Sequence, residues 1–351
     1  MSQQPIGHRL FIERLVIAIA ILGLALLLWA LRGLLILVFG AVLVAVILSL
    51  IAHPLKKRFR FPDWAALLTA VVAVIGVFAV AIMLFGQQAA EQASTLREAI
   101  PRAWETLLQR LEPLGLAEPL RQATAGIQSG GGGGGGILSG IGRFVMSVGG
   151  GIADALLVIV GGIYLAAQPR LYRSGLVKLF PSGSRDRIET ALDDSWTALR
   201  LWLAGRLVSM FFIGLLTALG LWMLGIPGWL ALGLIAFIFE FVPFVGPILA
   251  AIPAILLAVA LDPVKALWVA ALYLVIQQLE GNVIEPIVQQ RAVDLPPALL
   301  LFAIVAGAFV FGPPGVVFAA PLTVVLFVMV KRLYVREALG TQTEMPGEKK
   351  S

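Results

Sequence analysis

Apolar residues run along this chain in long uninterrupted blocks rather than in the alternation of half-buried strands, which excludes a membrane β-barrel. LVIAIAILGLALLLWAL (15–31) and LLILVFGAVLVAVILSLIA (34–52) are separated only by Arg32-Gly33. A bilayer core of ~30 Å takes about 20 apolar residues at 1.5 Å each, so one helix through both blocks is too long and a tight helical hairpin is expected. WAALLTAVVAVIGVFAVAIMLF (64–85), GIADALLVIVGGIYLAA (151–167), LVSMFFIGLLTALGLWML (207–224) and ALWVAALYLVI (266–276) predict further spans, and the apolar segments 228–260 and 298–330 are each interrupted by Gly and Pro. The pattern is that of an all-α polytopic membrane protein with about eight transmembrane helices, two of them broken. Segment 228–260 is read as a broken span, but it is too long for one helix while its halves are too short, so a re-entrant hairpin is a live alternative there.

Between the blocks the periodicity changes. Leu96, Ile100, Trp104, Leu107, Leu111 and Leu114 make the stripe of an amphipathic helix, with Glu98 and Arg102 one turn apart and Pro101 and Pro113 expected to delimit its pieces. The glycine run 130–136 cannot hold a helix and reads as a flexible tether. Lys56, Lys57, Arg58 and Arg60 follow the second block, and Arg170, Arg173, Lys178, Arg185 and Arg187 follow the fourth. Basic residues collect on the cytoplasmic side, which places both chain ends there and residues 86–150 outside. Ile188, Leu192, Trp196, Leu199 and Trp202 share one face and predict a helix lying on the inner membrane surface. Arg9 and Arg14 precede the first apolar block without a small-residue cleavage site, so an uncleaved first span is expected. The resulting division is 1–63 (hairpin and basic loop), 64–85 (third span), 86–150 (outer segment), 151–206 (fourth span and basic amphipathic helix), 207–335 (transport core) and 336–351 (disordered tail).

Composition sharpens the class. Of the 351 residues 60% are hydrophobic and 13% charged, far from the soluble norm of about a quarter charged. The net charge of +6 is confined to the basic clusters, so it reports orientation in a membrane and not nucleic-acid binding. Without cysteine there is no thiolate or disulfide chemistry. His8 and His53 form no HExxH-type pair, and neither a GxSxG elbow nor a P-loop lysine motif occurs. No enzymatic role, cofactor or metal is expected.

The candidate chemistry sits in the apolar core. FIFEFVPFVGPILAAIPAILLA (237–258) carries one carboxylate, Glu240, beside the PFVGP break. A carboxylate near the centre of a membrane helix costs roughly 2.5–3.5 kcal/mol and normally faces a polar interior. Proline frees backbone groups that are tolerated at that depth only in protein or beside a wet cavity. Glu240, Pro243, Gly246 and Pro247 are therefore candidates for a gate or coupling site, with a plain packing kink as the competing reading. A Glu240 found dry and locked in a packed bundle would count against coupling. From Pro296 onward the second broken segment repeats the interruption, with Gly312, Pro313, Pro314 and Gly315 as its hinge; without gaps, Gly246 falls opposite Gly315. QQLEGNVIEPIVQQR (277–291) adds Gln278, Glu280, Asn282 and Glu285 as a second polar element, or else a solvated loop. Asp154 and Arg206 are expected at span ends as interfacial anchors.

YLAAQPRLYRSGLVKLFP, LWLAGRLVSMFFIGLLTALGLWMLGIPGWLALGLIAFIFEFVPFVGPILAAIPA, QQLEGNVIEPIV and FGPPGVVFAAPL, in that order, resemble the successive blocks of the bacterial autoinducer-2 exporter (AI-2E) family. The resemblance covers most of 10–335 and implies about eight spans, a variable outer segment and residence in the bacterial inner membrane. It implies a permease, with some members linked to autoinducer-2 export and others to sodium/proton antiport. Where the family often carries His-Pro before the last span, this chain has Asp294-Leu295-Pro296-Pro297, so no role for that histidine carries over. The glycine-rich outer insert is also unusual. The expected partners are the lipid bilayer, a small-molecule or monovalent-cation substrate and, as an option, further copies of the chain as a homo-oligomer. A membrane scaffold whose outer segment recruits another protein is the reading from a different class.

Overall fold

The computed structural model describes residues 6–114, 118, 152–286, 295–341 and 343, and every regular element among them is helical. The α-helices are α1 (Ile6–Ala30), α2 (Arg32–Phe59), α3 (Asp63–Leu111), α4 (Ile152–Ala167), α5 (Pro169–Lys178) and α6 (Arg185–Met223). They continue as α7 (Trp229–Phe239), α8 (Val245–Leu261), α9 (Pro263–Leu279), α10 (Pro297–Phe311) and α11 (Pro313–Val330). Wide π turns extend α9 over Glu280–Ile284 and α11 over Lys331–Ala338. Among the described residues four helical stretches are long and apolar enough to cross a bilayer, 32–59, 182–223, 263–284 and 313–338, or five if the bent pair α4–α5 is counted as one span. The shorter apolar helices are α1, the start of α3 and the arms α7, α8 and α10.

Three local expectations are corrected. The hairpin at Arg32-Gly33 does not form: Leu31 N–H donates to Leu27 C=O and Leu35 N–H to Leu31 C=O, both at 2.9 Å, and residues 14–35 are exposed instead of folding back on α2. Glycine weakens a helix by about 1 kcal/mol relative to Ala but removes no donor, and two residues are too few to reverse the chain. Pro101 does not delimit a helix either, because α3 runs through it to Leu111; the end comes at Pro113, inside the turn Glu112–Leu114. The glycine tether, and the outer segment after residue 114 apart from 118, lie outside the described residues.

The third correction concerns the amphipathic face of 188–202. It belongs to α6, one helix of 39 residues, and Leu199 and Trp202 are buried against α2 and α11 rather than in lipid headgroups. No proline interrupts α6, so nothing lays its first turns on the surface. The element that turns aside is α5. It bends 89° from α4 at Gln168-Pro169 and carries Arg170, Arg173 and Lys178.

Both broken segments are helical hairpins. In α7–α8, residues equidistant from the turn pack together: Ala236 with Ala250 around Phe239, and Leu232 with Ala254. In α10–α11 a methyl at Gly307 would touch Ala319 and the Gly315 carbonyl, and Ile304 shares a cluster with Ala320. An arm of 11 residues reaches only about 17 Å, so α7 enters the bundle and returns without crossing it. For 228–260 two helical arms joined by a tight turn are observed in place of one continuous helix.

The two hairpins point in opposite directions along α6. The open end of α7–α8 packs with Leu221 and Ile226 near the α6 C-terminus, while Phe241 at its tip lies 6.0 Å, edge to face, from Trp202. The tip of α10–α11 lies beside Arg32, Gly33 and Ile36, and its open end reaches the α6 N-terminal half, where Arg332 pairs with Asp194 at 3.5 Å. That end of the bundle holds the basic clusters. Arg173 bridges Glu189 and Asp193, and Arg187 reaches Glu337. Such exposed pairs contribute little individually; they tie α5, α6 and the α11 extension together.

Candidate functional site

The sequence at the tip of α7–α8 dictates an abrupt turn. Pro243 supplies no N–H, and α7 ends at Phe239. Val245 N–H then donates to Pro243 C=O at 2.7 Å around Phe244, whose φ of 64° and ψ of −47° form a γ-turn of the rare positive-φ kind. Gly246 starts the returning arm against the outgoing one: a Cβ there would lie 1.9 Å from the Phe239 carbonyl oxygen. Only glycine fits. The other tip uses the same device, since a Cβ at Gly315 would lie 1.9 Å from the Gly307 carbonyl oxygen, and Gly312 holds φ 68° and ψ −149°, a region open essentially to glycine. The pairing of Gly246 with Gly315 in the ungapped comparison thus matches equivalent positions in two hairpins.

Glu240 occupies the first turn residue and is 1% exposed. It is not a lone acid. Arg206, from the middle of α6, is 7% exposed, with Nη2 2.8 Å from Glu240 Oε1 and Nη1 3.2 Å from Glu280 Oε1. Gln277 Nε2 donates to Glu280 Oε2 at 3.0 Å. The expectation that Arg206 is an interfacial anchor is therefore wrong: it is the buried counter-ion of both acids. The missed signal is plain in LWLAGRLVSMFF, where an arginine midway along an apolar stretch needs a carboxylate, and the nearest intramembrane candidate was already in hand. Asp154 is half-buried in the first turn of α4, an end where a carboxylate suits the helix dipole.

The remaining predicted residues divide. Glu280 joins the cluster through the end of α9, where the wide turn closes with Glu285 N–H bonding Glu280 C=O. Gln278, Asn282 and Glu285 lie on exposed faces; Asn282 Nδ2 donates to the Gln278 side-chain and main-chain oxygens, each at 2.9 Å. The structure does not bring Gln278 and Asn282 to Glu240, while the exposed Glu285 is near enough for its charge to act on it. Pro247 lines a cavity of about 10 Å³ with Glu240, Glu280, Gln277, Thr217 and Tyr273, room for about one water and no more. The Tyr273 hydroxyl donates to Ala250 C=O at 3.1 Å and ties α9 to the returning arm. Thr217 and Tyr273 carried no sequence signal of their own. Gly312 lines a second, larger cavity of about 300 Å³ beside Arg32 and Ile36. Pro313, Pro314 and Gly315 open α11 directly behind it.

What this arrangement can do follows from its charge. Two carboxylates and one guanidinium at apolar depth leave one negative charge uncompensated if all three are ionised. Such a cluster is stable only while its geometry holds, so a shift of the tip away from α6 is electrostatically costly unless another cation or a proton substitutes.

Comparison with known proteins agrees with this architecture. Residues 15–334 match the profile described as AI-2E family transporter. The chain is 30% identical over 166 residues to the "Putative transport protein YrrI" of Bacillus subtilis, 47% of either chain. It is 28% identical over 192 residues to a like-named protein of Thermotoga maritima, 54% of this chain and 59% of that one. Over 95 residues it is 33% identical to the AI-2 transport protein TqsA of Escherichia coli, 27% of this chain and 28% of TqsA. These alignments span about half the length of the first relatives and less of TqsA. With the profile covering nearly the whole chain, the protein belongs to the AI-2E family of membrane transporters.

Proposed function

We propose that this protein is a secondary efflux permease that exports a small polar solute, autoinducer-2 being the example its relative TqsA names, across a bacterial inner membrane with the basic end of the bundle cytoplasmic. The observation that carries the reading is the Arg206–Glu240–Glu280 cluster at the tip of a hairpin that does not cross the bundle. Broken helices with polar groups at their breaks are the usual construction of a transporter site. The small cavity at the cluster is too tight for a solute, so the cluster serves as a gate or coupling element, and the solute passes elsewhere along the hairpins. Glu240 is buried and ion-paired, which counts against coupling by that acid alone, so the role proposed is a gate made by the cluster as a whole.

The test is flux from proteoliposomes loaded with labelled solute. Glu240→Gln should slow efflux while the protein remains monodisperse and helical. Unchanged flux in that variant removes the cluster from the mechanism. A second reading, monovalent cation/proton antiport, is favoured by one observation, the excess of carboxylate over guanidinium in the cluster. A pH-sensitive dye inside the vesicles separates the two readings: antiport gives a proton signal on adding Na⁺ without any solute.

A further inference from the structure

We propose that the corner between the α2–α3 turn and the α4–α5 bend is a binding site for the headgroup of an acidic phospholipid, with Lys57, Arg58, Arg60 and Arg170 holding its phosphate. The site is independent of what the protein carries and needs only that α2 cross a bilayer, for which it is long and apolar enough.

Three elements meet here. Leu48 and Ala52 of α2 pack with Ala66 and Ala70 of α3, and Ile163 and Ala166 bring the end of α4 onto them. Gly162 permits that approach, since a Cβ there would lie 2.9 Å from the Ala41 carbonyl oxygen. The chain then turns 89° into α5, so Arg170 emerges beside the last turn of α2. Its charge acts on Asp63, the carboxylate that Lys56 Nζ holds at 2.8 Å. Arg60 closes α2 in the left-handed region, at φ 51° and ψ 34°, and α3 starts only three residues on, so both helix ends sit at one level.

The charge at this corner is unbalanced. Lys56, Lys57, Arg58, Arg60 and Arg170 gather there with one acid, Asp63, and among the described residues no ion pair occupies the last four of these cations. The acids further along the same end do not neutralise them. Arg173 holds Glu189 and Asp193, Arg332 holds Asp194, Arg187 holds Glu337, and Asp186 serves the first turn of α6. The dipole of α2 favours cations at its own C-terminus but gives no reason for Arg170 to join them from another element.

Depth and surroundings say which anion fits. α2 is apolar up to Ala52, so its basic last turn lies at headgroup level. Phe59, Phe61 and Trp64 stand exposed among the cations, Trp64 at 71%. On α5, Arg173 and Val177 turn toward α6, while Tyr172, Leu176 and Leu179, spaced i, i+4 and i+7, remain exposed. An apolar stripe beside cations on a helix lying across its span suits the lipid interface, and basic pockets between helices at that depth take acidic headgroups. Inorganic phosphate would satisfy the cations and leave the rings and the stripe bare. A phospholipid covers both.

The experiment is thermal unfolding of the full chain in a neutral detergent, titrated with short-chain phosphatidylglycerol, with phosphatidylcholine of equal chain length, and with inorganic phosphate. Phosphatidylglycerol should raise Tm along a saturating curve that neither of the others reproduces. One cation near a charged headgroup changes affinity about fivefold, so Lys57→Gln with Arg170→Gln should raise the half-saturating concentration about thirtyfold. Asp63→Asn removes the one acid and should lower it about fivefold, a gain that a merely structural corner would not show. Lys265→Gln, at the opposite end beside Gly225, should leave it unchanged. Equal curves for the two lipids overturn the site, as does a double variant that folds and keeps the wild-type curve. Inorganic phosphate matching phosphatidylglycerol replaces the lipid by a plain anion and overturns it too. So does a Lys265→Gln shift as large as that of a corner cation, which would reduce the effect to net charge.

Discussion

Replacing Arg206 by Met tests the buried cluster most directly. Met keeps much of the volume and removes the charge. At an effective dielectric of about 20, charges 2.8 and 3.2 Å apart attract by about 6 and about 5 kcal/mol. Lost hydration of three ions, several kcal/mol each, and the mutual repulsion of two carboxylates offset most of that. The intact cluster therefore contributes little net stability, but removing its cation alone strands Glu240 and Glu280 at 1% and 7% exposure. The expected loss for Arg206→Met is about 3–5 kcal/mol. The neutral triple variant Arg206→Met, Glu240→Gln, Glu280→Gln should recover most of it, because no buried charge then lacks a partner. Reversible unfolding in mixed micelles, followed by circular dichroism, measures both. A single variant within about 0.5 kcal/mol of wild type, or a triple variant no more stable than the single, refutes the account of Arg206 as the counter-ion that keeps both acids buried.

Gly246→Ala sets a methyl 1.9 Å from the Phe239 carbonyl oxygen, where backbone must yield; a loss of about 1–3 kcal/mol or failure to fold is expected. Gly76→Ala, with nothing within 4 Å, should instead be neutral or gain up to about 1 kcal/mol, and parallel melting curves in one detergent compare the two. Gln92 Oε1 accepts from Leu230 and Ala231 N–H at 3.0 and 3.3 Å, standing in for an N-cap on α7. Gln92→Ala should accelerate hydrogen exchange of a peptide covering the α7 start, with exchange over α2 unchanged; equal protection in both proteins would show the contact to be idle.

The class of the fold was legible because membrane helices announce themselves by length and apolarity, and PFVGP and FGPPG announce their breaks by chemistry. Depth and direction were not. A helix of 39 residues and a surface helix followed by a span have the same periodicity, so only packing of Leu199 and Trp202 against α2 and α11 reveals α6 as continuous. Glu240 was found from the cost of its charge, whereas Arg206 was assigned to an interface because its position was read from a predicted span boundary, an uncertain thing. Thr217 is invisible to any such reasoning: a threonine in an apolar helix is ordinary, and what marks it is the bond it fails to make. The polar run 277–285 looked like one element and divides, with Glu280 buried and held by Gln277 while Gln278 and Asn282 bond each other on the exposed face.

Under the proposed function the opposed hairpins would change what separates the two compartments. Elsewhere a solute meets about 30 Å of hydrocarbon or a full-length column of helix. At the α7–α8 tip the Phe241 ring rests edge to face on Trp202, against a cluster shared by α2, α6, α10 and α11. If the proposed permease lets solute past this tip, that ring is what must swing aside, and trimming Phe241 should show as leak from loaded vesicles.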